Sequence, residues 1–184
     1  MRLDEVLFVP TGLPWMKRDE AITDGAHRQR MVELALAGNP SFRMLTAELD
    51  RPGETYTVDT LEELRAGQMA DDELLFIMGV DTLHTMHRWK EPRRILELAR
   101  LVVALRPGQG PIDLAAMTEL DAAAPERVMT VHMPLVEISG TELRRRVRNG
   151  EPVRYLVPDA VADYIERYGL YRGASYTTPV SVGG

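Results

Sequence analysis

Ser139-Gly140-Thr141-Glu142-Leu143-Arg144 brings two hydroxyls and a guanidinium close together, a set of groups suited to holding a phosphate. An apolar segment, Val128 to Leu135, precedes it, and Leu143 and Val147 then fall on one face of a helical period, so the hydroxyls stand where a strand gives way to a helix. A helix start offers unpaired amides and the positive end of the helix dipole, both of which favour an anion. Thr141 and Arg144, three residues apart, share a side, and the guanidinium adds a fork of donors. The same residues spell a capping box, Ser139-x-x-Glu142, which begins helices with or without a ligand. Both readings stand.

Other chemically equipped residues follow apolar segments. Leu74-Leu75-Phe76-Ile77-Met78 reads as a buried strand ending in Gly79-Val80-Asp81, where glycine admits a ligand to the backbone. Asp81 can accept sugar hydroxyls or act only as a helix N-cap. Arg106-Pro107-Gly108 closes a second such strand, Leu101 to Leu105. Thr57 can cap a helix, and Trp89, shortly before Pro92, is either core packing or a ring on which a flat ligand stacks. Pro14-Trp15-Met16-Lys17-Arg18 could hold phosphate, although its local composition favours a solvated rim. His84 and His87 lack the further ligands of a metal motif.

The elements that would carry these groups alternate between strand and helix. Val6 to Val9 is a continuous apolar run ended by Pro10-Thr11-Gly12, as expected of a strand buried on both faces of a parallel sheet. Thr23 or Asp24 can cap a helix with Met31, Leu34 and Ala35 inward and His27 on the solvent side, stopped by Gly38-Asn39-Pro40. A strand-like segment from Phe42 to Leu49 and a turn at Asp50 to Gly53 lead to the helix of Val58, Leu61 and Leu64. Further helices carry Ile95, Leu96 and Leu98, run from about Ile112 to Leu120, and carry Val161, Tyr164 and Ile165 after Pro158. This pattern implies an α/β fold with a mostly parallel sheet flanked by helices and ligands at the carboxyl ends of the strands, where Gly79, Asp81, Arg106 and Ser139 all fall.

With 184 residues, of which 45% are hydrophobic, the chain can bury a core and is expected to form one domain over residues 1–172, with 173–184 a disordered tail. A net charge of −6 argues against a sequence-independent grip on nucleic acid, whereas the local cluster of Arg144, Arg145, Arg146 and Arg148 suits a small anion. The absence of cysteine excludes disulfides, thiolate zinc sites and cysteine nucleophiles. With no bilayer-length apolar run and no secretory pattern at Met1-Arg2-Leu3-Asp4-Glu5, the expectation is a cytoplasmic protein.

Together the segments resemble the bacterial nicotinate-nucleotide adenylyltransferases, of the nucleotidylyltransferase superfamily with a Rossmann-like fold. The resemblance runs from Asp4 to about Tyr171 and rests on the order of its pieces: Asp4 to Pro10 with Pro14-Trp15-Met16-Lys17, Tyr56 to Leu61, Phe76 to Asp81 with Trp89, Arg106-Pro107-Gly108, and Ile138 to Arg144. Tyr155-Leu156-Val157-Pro158 and Tyr168-Gly169-Leu170-Tyr171 also resemble the family's ending. The resemblance implies transfer of AMP from ATP to nicotinate mononucleotide in NAD biosynthesis, with Mg²⁺ accompanying the nucleotide. It implies that Ser139, Thr141 and Arg144 hold the ATP phosphates with Lys17 assisting, and that Gly79 and Asp81 meet the adenosine side with Arg106 near the nucleotide. Thr57 would lie by the nicotinate carboxylate and Trp89 on the pyridine ring. The implied partners are ATP and nicotinate mononucleotide, with no nucleic acid and no membrane, and room is left for a homo-oligomer.

The family pattern opens with a strand, a turn of the form Gly-Gly-Thr-Phe-Asp-Pro and a His-x-Gly-His motif, none of which is found here. The expected domain is therefore N-terminally incomplete, its first strand and helix missing. Two readings follow: an adenylyltransferase whose true start lies upstream of Met1, or a non-catalytic nucleotide-binding remnant or partner protein. A third is an adenylyltransferase with another acceptor.

Overall fold

The computed structural model describes residues 2–14, 22–67, 69–108 and 110–173. Lys17 and residues 174–184 of the expected tail lie outside them. In chain order the first elements are β1 (Val6–Phe8), β2 (Leu13–Pro14), α1 (Gly25–Leu36), β3 (Phe42–Met44), α2 (Ala47–Asp50) and β4 (Glu54–Thr55). There follow α3 (Thr57–Ala66), β5 (Leu75–Gly79), α4 (Val80–Thr85), α5 (Pro92–Leu98), β6 (Arg100–Leu105) and α6 (Ala115–Leu120). The chain continues with β7 (Val128–His132), α7 (Gly140–Arg148) and α8 (Asp159–Arg167). It divides into two compact units, one of residues 1–55 with 137–184 and the other of residues 56–136.

The unit of residues 56–136 is built on a parallel ladder in the order β5-β6-β7. Leu75 pairs with Arg100 and Gly79 with Ala104, while Leu101 pairs with Val128 and Leu105 with His132, so the three carboxyl ends stand at one edge. Its core gathers Val58 and Leu61 of α3, Ile95 and Leu96 of α5, and Leu101 and Val103 of β6. Val58, Ile95, Leu96, Leu101 and Val103 are at most 1% exposed, and burying each such side chain contributes roughly 1.5–3 kcal/mol. The apolar stripe predicted for α5 and the Val58 and Leu61 of that predicted for α3 thus face the core, while Leu64 is half-buried. β5 has a strand partner on one edge only among the described residues, and Ile77 remains 46% exposed.

The other unit has two short parallel ladders, β1 with β3 and β2 with β4. Its apolar cluster joins Val147 of α7, Val153, and Val161, Ala162 and Ile165 of α8, with Met31 and Leu34 of α1 packed against it. Three expectations change here. β1 was expected to be buried on both faces, but it is hydrogen-bonded on one edge only among the described residues and Phe8 is 36% exposed. The strand-like segment from Phe42 to Leu49 ends at Met44 and continues as α2, where the Thr46 hydroxyl donates to Asp50 Oδ2 at 2.7 Å; a local side-chain bond wins over strand propensity. His27, expected on the solvent side, is 3% exposed because its Nδ1 lies 2.9 Å from the Tyr164 hydroxyl of α8 and its ring packs edge-on against Tyr168.

Among the described residues every strand pair is parallel, in keeping with the mostly parallel sheet that the alternating pattern implies. Among the described residues no helix is long and apolar enough to cross a membrane.

Candidate functional site

In the first unit, Ser139 is the N-cap of α7, with extended backbone (φ −125, ψ 151) and a side-chain oxygen that accepts from the Glu142 amide at 3.1 Å. This is one half of the capping box. In the other half Glu142 would reach back to the cap; instead its carboxylate accepts from Arg145 at 2.8 and 2.7 Å and from Arg146 at 3.2 Å. The Arg145 hydrogen bonds hold Glu142 below the usual carboxylate pKa and raise that of Arg145. Arg145 also donates to Glu151 at 3.0 Å. The basic cluster therefore divides, with Arg145 and Arg146 engaged by acids of the same unit.

Arg144 is disposed differently. Its guanidinium lies 3.4 Å from the Thr141 hydroxyl, as the three-residue spacing predicts, and no carboxylate pairs with it among the described residues. A Cβ on Gly140 would come within 3.1 Å of Arg144 Nη1, so the glycine leaves room for the guanidinium to fold back over the helix start. Ser139, Gly140, Thr141 and Arg144 are all exposed. The amides of Gly140 and Thr141 belong to the first turn, which has no intrahelical acceptors of its own. Hydroxyls, free amides and a cation thus meet on an accessible corner. Six residues without regular structure, 133–138, separate β7 from this start, so the strand predicted to reach Leu135 stops earlier, at His132.

In the second unit, Gly79 ends β5 and is itself the N-cap of α4, with φ −85. That backbone suits any residue, and a Cβ there would meet nothing within 4 Å, so neither conformation nor packing within the unit demands glycine. The effect is open space beside the chain. Asp81 lies exposed in the first turn of α4, so its alternative reading as the cap is replaced by Gly79. Arg106 follows β6 directly at the same carboxyl edge, which brings Gly79, Asp81 and Arg106 to one end of the ladder. Ser139 belongs to the other unit.

Thr57 is the first residue of α3 rather than its cap: Tyr56, with extended backbone (φ −129, ψ 141), takes the cap position without a side-chain capping bond. The Thr57 hydroxyl is thereby spared the capping role expected of it. Trp89 is half-buried against the core, edge-on to Phe76 at 6.0 Å, so the packing reading is met. Its buried Nε1 has no acceptor among the described residues, a state that generally costs about 1–3 kcal/mol. Lys90 ties the two together, with Nζ 2.7 Å from Asp59 Oδ1 and 4.8 Å from the centroid of the Tyr56 ring. Sequence reading singled out neither Lys90 nor this role for Asp59. Their only signal was adjacency to Trp89 and Thr57.

The sequence pattern of the cytidylyltransferase-like family matches residues 1–146. A protein of Thermomicrobium roseum named "Probable nicotinate-nucleotide adenylyltransferase" is 46% identical over 97% of this chain and 83% of its own length. A protein of the same name from a Nocardioides species is 47% identical over 92% of this chain and 80% of its own length. Among solved structures, the nicotinic acid mononucleotide adenylyltransferase of Plasmodium falciparum complexed with NaAD superposes with a TM-score of 0.68 at 18% identity, over 92% of this chain and 83% of that one. The same parasite enzyme complexed with APC gives 0.66 at 17% identity, with the same coverage. These likenesses extend through both units, and the chain belongs to the nicotinate-nucleotide adenylyltransferases of the cytidylyltransferase-like family.

Proposed function

We propose that the chain transfers AMP from ATP to nicotinate mononucleotide, giving nicotinate adenine dinucleotide and pyrophosphate. The observation that carries this reading is the exposed start of α7, where Arg144 and Thr141 stand 3.4 Å apart over a glycine. In the reaction a phosphate oxygen of the mononucleotide bonds to the α-phosphorus of ATP while the bond to the β-phosphate oxygen breaks, and the electron pair leaves with pyrophosphate. No protein nucleophile is needed, so positioning and charge stabilisation supply the acceleration. Ser139, Thr141 and Arg144 hold the triphosphate, with Lys17 assisting. Gly79 and Asp81 meet the adenosine, and Arg106 lies near the nucleotide. Thr57 receives the nicotinate carboxylate, while Trp89 offers a ring face to the pyridine.

Among the described residues no group of three or more His, Cys, Asp or Glu could cage a metal. Mg²⁺ fits this site as a companion of the triphosphate, which requires few protein ligands, and when bound it offsets charge on the leaving group. The reading takes residues 1–172 as one nucleotidylyltransferase-like domain of a cytoplasmic enzyme with small-molecule partners, neither nucleic acid nor membrane being required.

The test is to incubate the purified chain with ATP, Mg²⁺ and either nicotinate or nicotinamide mononucleotide, following pyrophosphate release and the dinucleotide formed. Faster production of the nicotinate dinucleotide supports the reading. ATP binding with no pyrophosphate from either acceptor would overturn it in favour of a nucleotide-binding protein.

A further inference from the structure

Two ion pairs join α3 to the chain around α5. Arg94 of α5 donates to Glu62 at 2.9 Å, and Lys90, just before α5, stands with Nζ 2.7 Å from Asp59 Oδ1. Asp59 and Glu62, three residues apart, share a side of α3, and beneath them Val58, Leu61, Ile95 and Leu96 belong to one core. The core and the Arg94 pair already hold the two helices, so an exposed second pair adds little to that hold. Lys90 is nevertheless kept in place. Trp89 before it packs against the core and donates its amide to Met86 O at 3.0 Å. Glu91 after it has a left-handed backbone (φ 47, ψ 57), which side chains rarely adopt, and its carbonyl accepts from the Ile95 amide at 3.2 Å. Strain of this kind persists only where the surroundings impose it.

The ammonium held by that turn meets a carboxylate at a helix start. Asp59 belongs to the first turn of α3, where an acidic side chain ordinarily turns back toward the unpaired amides and the positive end of the dipole. Instead Asp59 Oδ1 faces Lys90, and among the described residues no main-chain amide donates to it. The hydrogen bond to Asp59 raises the Lys90 pKa, with the Glu91 charge adding to it, so the lysine is fully charged at neutral pH. Thr57 precedes Asp59 by two residues, a Cα separation of about 5 Å in helical geometry. Salt screens charge only beyond roughly 8 Å at physiological ionic strength. An unpaired Asp59 would therefore repel an anion brought to Thr57, whereas the paired carboxylate presents little net charge.

We infer that Lys90 is a specificity-determining residue: by cancelling the charge of Asp59 it sets the balance between a carboxylate and a carboxamide on the pyridine of the acceptor. The inference rests on the reading that Thr57 receives the nicotinate carboxylate.

Nicotinate and nicotinamide mononucleotide have nearly the same shape and differ by that one charge. The ratio of their dissociation constants, measured by titration calorimetry on the full chain, therefore isolates the charge from general damage to the fold. Lys90→Met weakens binding of nicotinate mononucleotide on the order of fivefold and leaves nicotinamide mononucleotide within about twofold. Asp59→Asn moves the ratio the opposite way by about the same factor, and the double variant returns it close to that of the parent. Lys90→Arg keeps the parent ratio, and raising salt to about 0.5 M shrinks the Lys90→Met effect. Arg94→Met, which breaks the neighbouring pair, is the control and shifts the ratio by less than about twofold. Equal losses for both mononucleotides in Lys90→Met, or a shift in the same direction in Asp59→Asn, overturn the inference. Calorimetry needs no turnover, so a parent chain that binds the mononucleotides without transferring AMP sinks the functional reading while the ratio still judges Lys90. A parent that binds neither mononucleotide overturns both.

Discussion

The start of α7 and the corner formed by α3 and Trp89 are built in opposite ways. At α7 the polar groups stand exposed and, among the described residues, are tied to one another, with Arg144 reaching Thr141 and Ser139 capping Glu142. At the other corner Trp89 leans on the core, while Lys90 braces Tyr56 and Asp59 from outside. A phosphate is recognised by charge and hydrogen bonds, which need access and free donors. A flat ring is recognised by surface and shape, which need packing. Substitutions at the first corner should therefore change activity without stability, whereas those at the second should change both.

The largest effect is expected for Arg144→Ala. Loss of an aimed cation lowers the rate of adenylyl transfer on the order of a hundredfold to a thousandfold, while the melting temperature hardly moves. Steady-state kinetics beside thermal unfolding measures both, and a marked loss of stability would erase the contrast between the corners. Trp89→Ala comes next. It should destabilise the chain by about 3 kcal/mol in urea titrations and raise the KM for the mononucleotide, with Trp89→Phe recovering much of the stability. A stable Trp89→Ala chain would mean that the ring serves the ligand alone.

Lys90→Met sharpens the comparison further, because it removes the brace and leaves Trp89 in place. A few-fold rise in the KM for the mononucleotide is expected, with that for ATP unchanged; the reverse pattern would assign Lys90 to the nucleotide. The smallest effect concerns acid. Arg145 lowers the Glu142 pKa from its ordinary value of 4.5, so the carboxylate's contribution to stability is present above that value and fades as pH falls through the lower folded one. Glu142→Gln should flatten this acid limb of a melting-temperature profile and leave the neutral region almost unchanged. An unaltered acid limb would show that the pair is without thermodynamic weight.

Much of this was legible in the chain. Apolar runs marked β5 and β6, and helical spacing placed Val58, Leu61, Ile95 and Leu96 in the core, because both patterns are local. Ser139 as a cap, with Thr141 beside Arg144, also followed from spacing within one turn. What escaped depends on distant partners. Tyr164 stands 137 residues from His27, and no period of α1 could announce it. Lys90 meets Asp59 across 31 residues. The early end of β3 was a failure of another kind, since the Thr46 to Asp50 hydroxyl bond was local but offered propensity a competitor of similar strength.

β6 is paired on both sides from Leu101 to Ala104, and Leu101, Val102 and Val103 are at most 1% exposed. Each of its paired amide protons is held by one neighbour or the other and meets deuterium only when that neighbour has separated, so Leu101 to Ala104 should be among the last in their unit to exchange. The edge carrying Gly79 and Arg106 is thus the rim of a late-opening strand and its neighbour, and a nucleotide bound there would rest on a platform that outlasts the fraying of the helices around it.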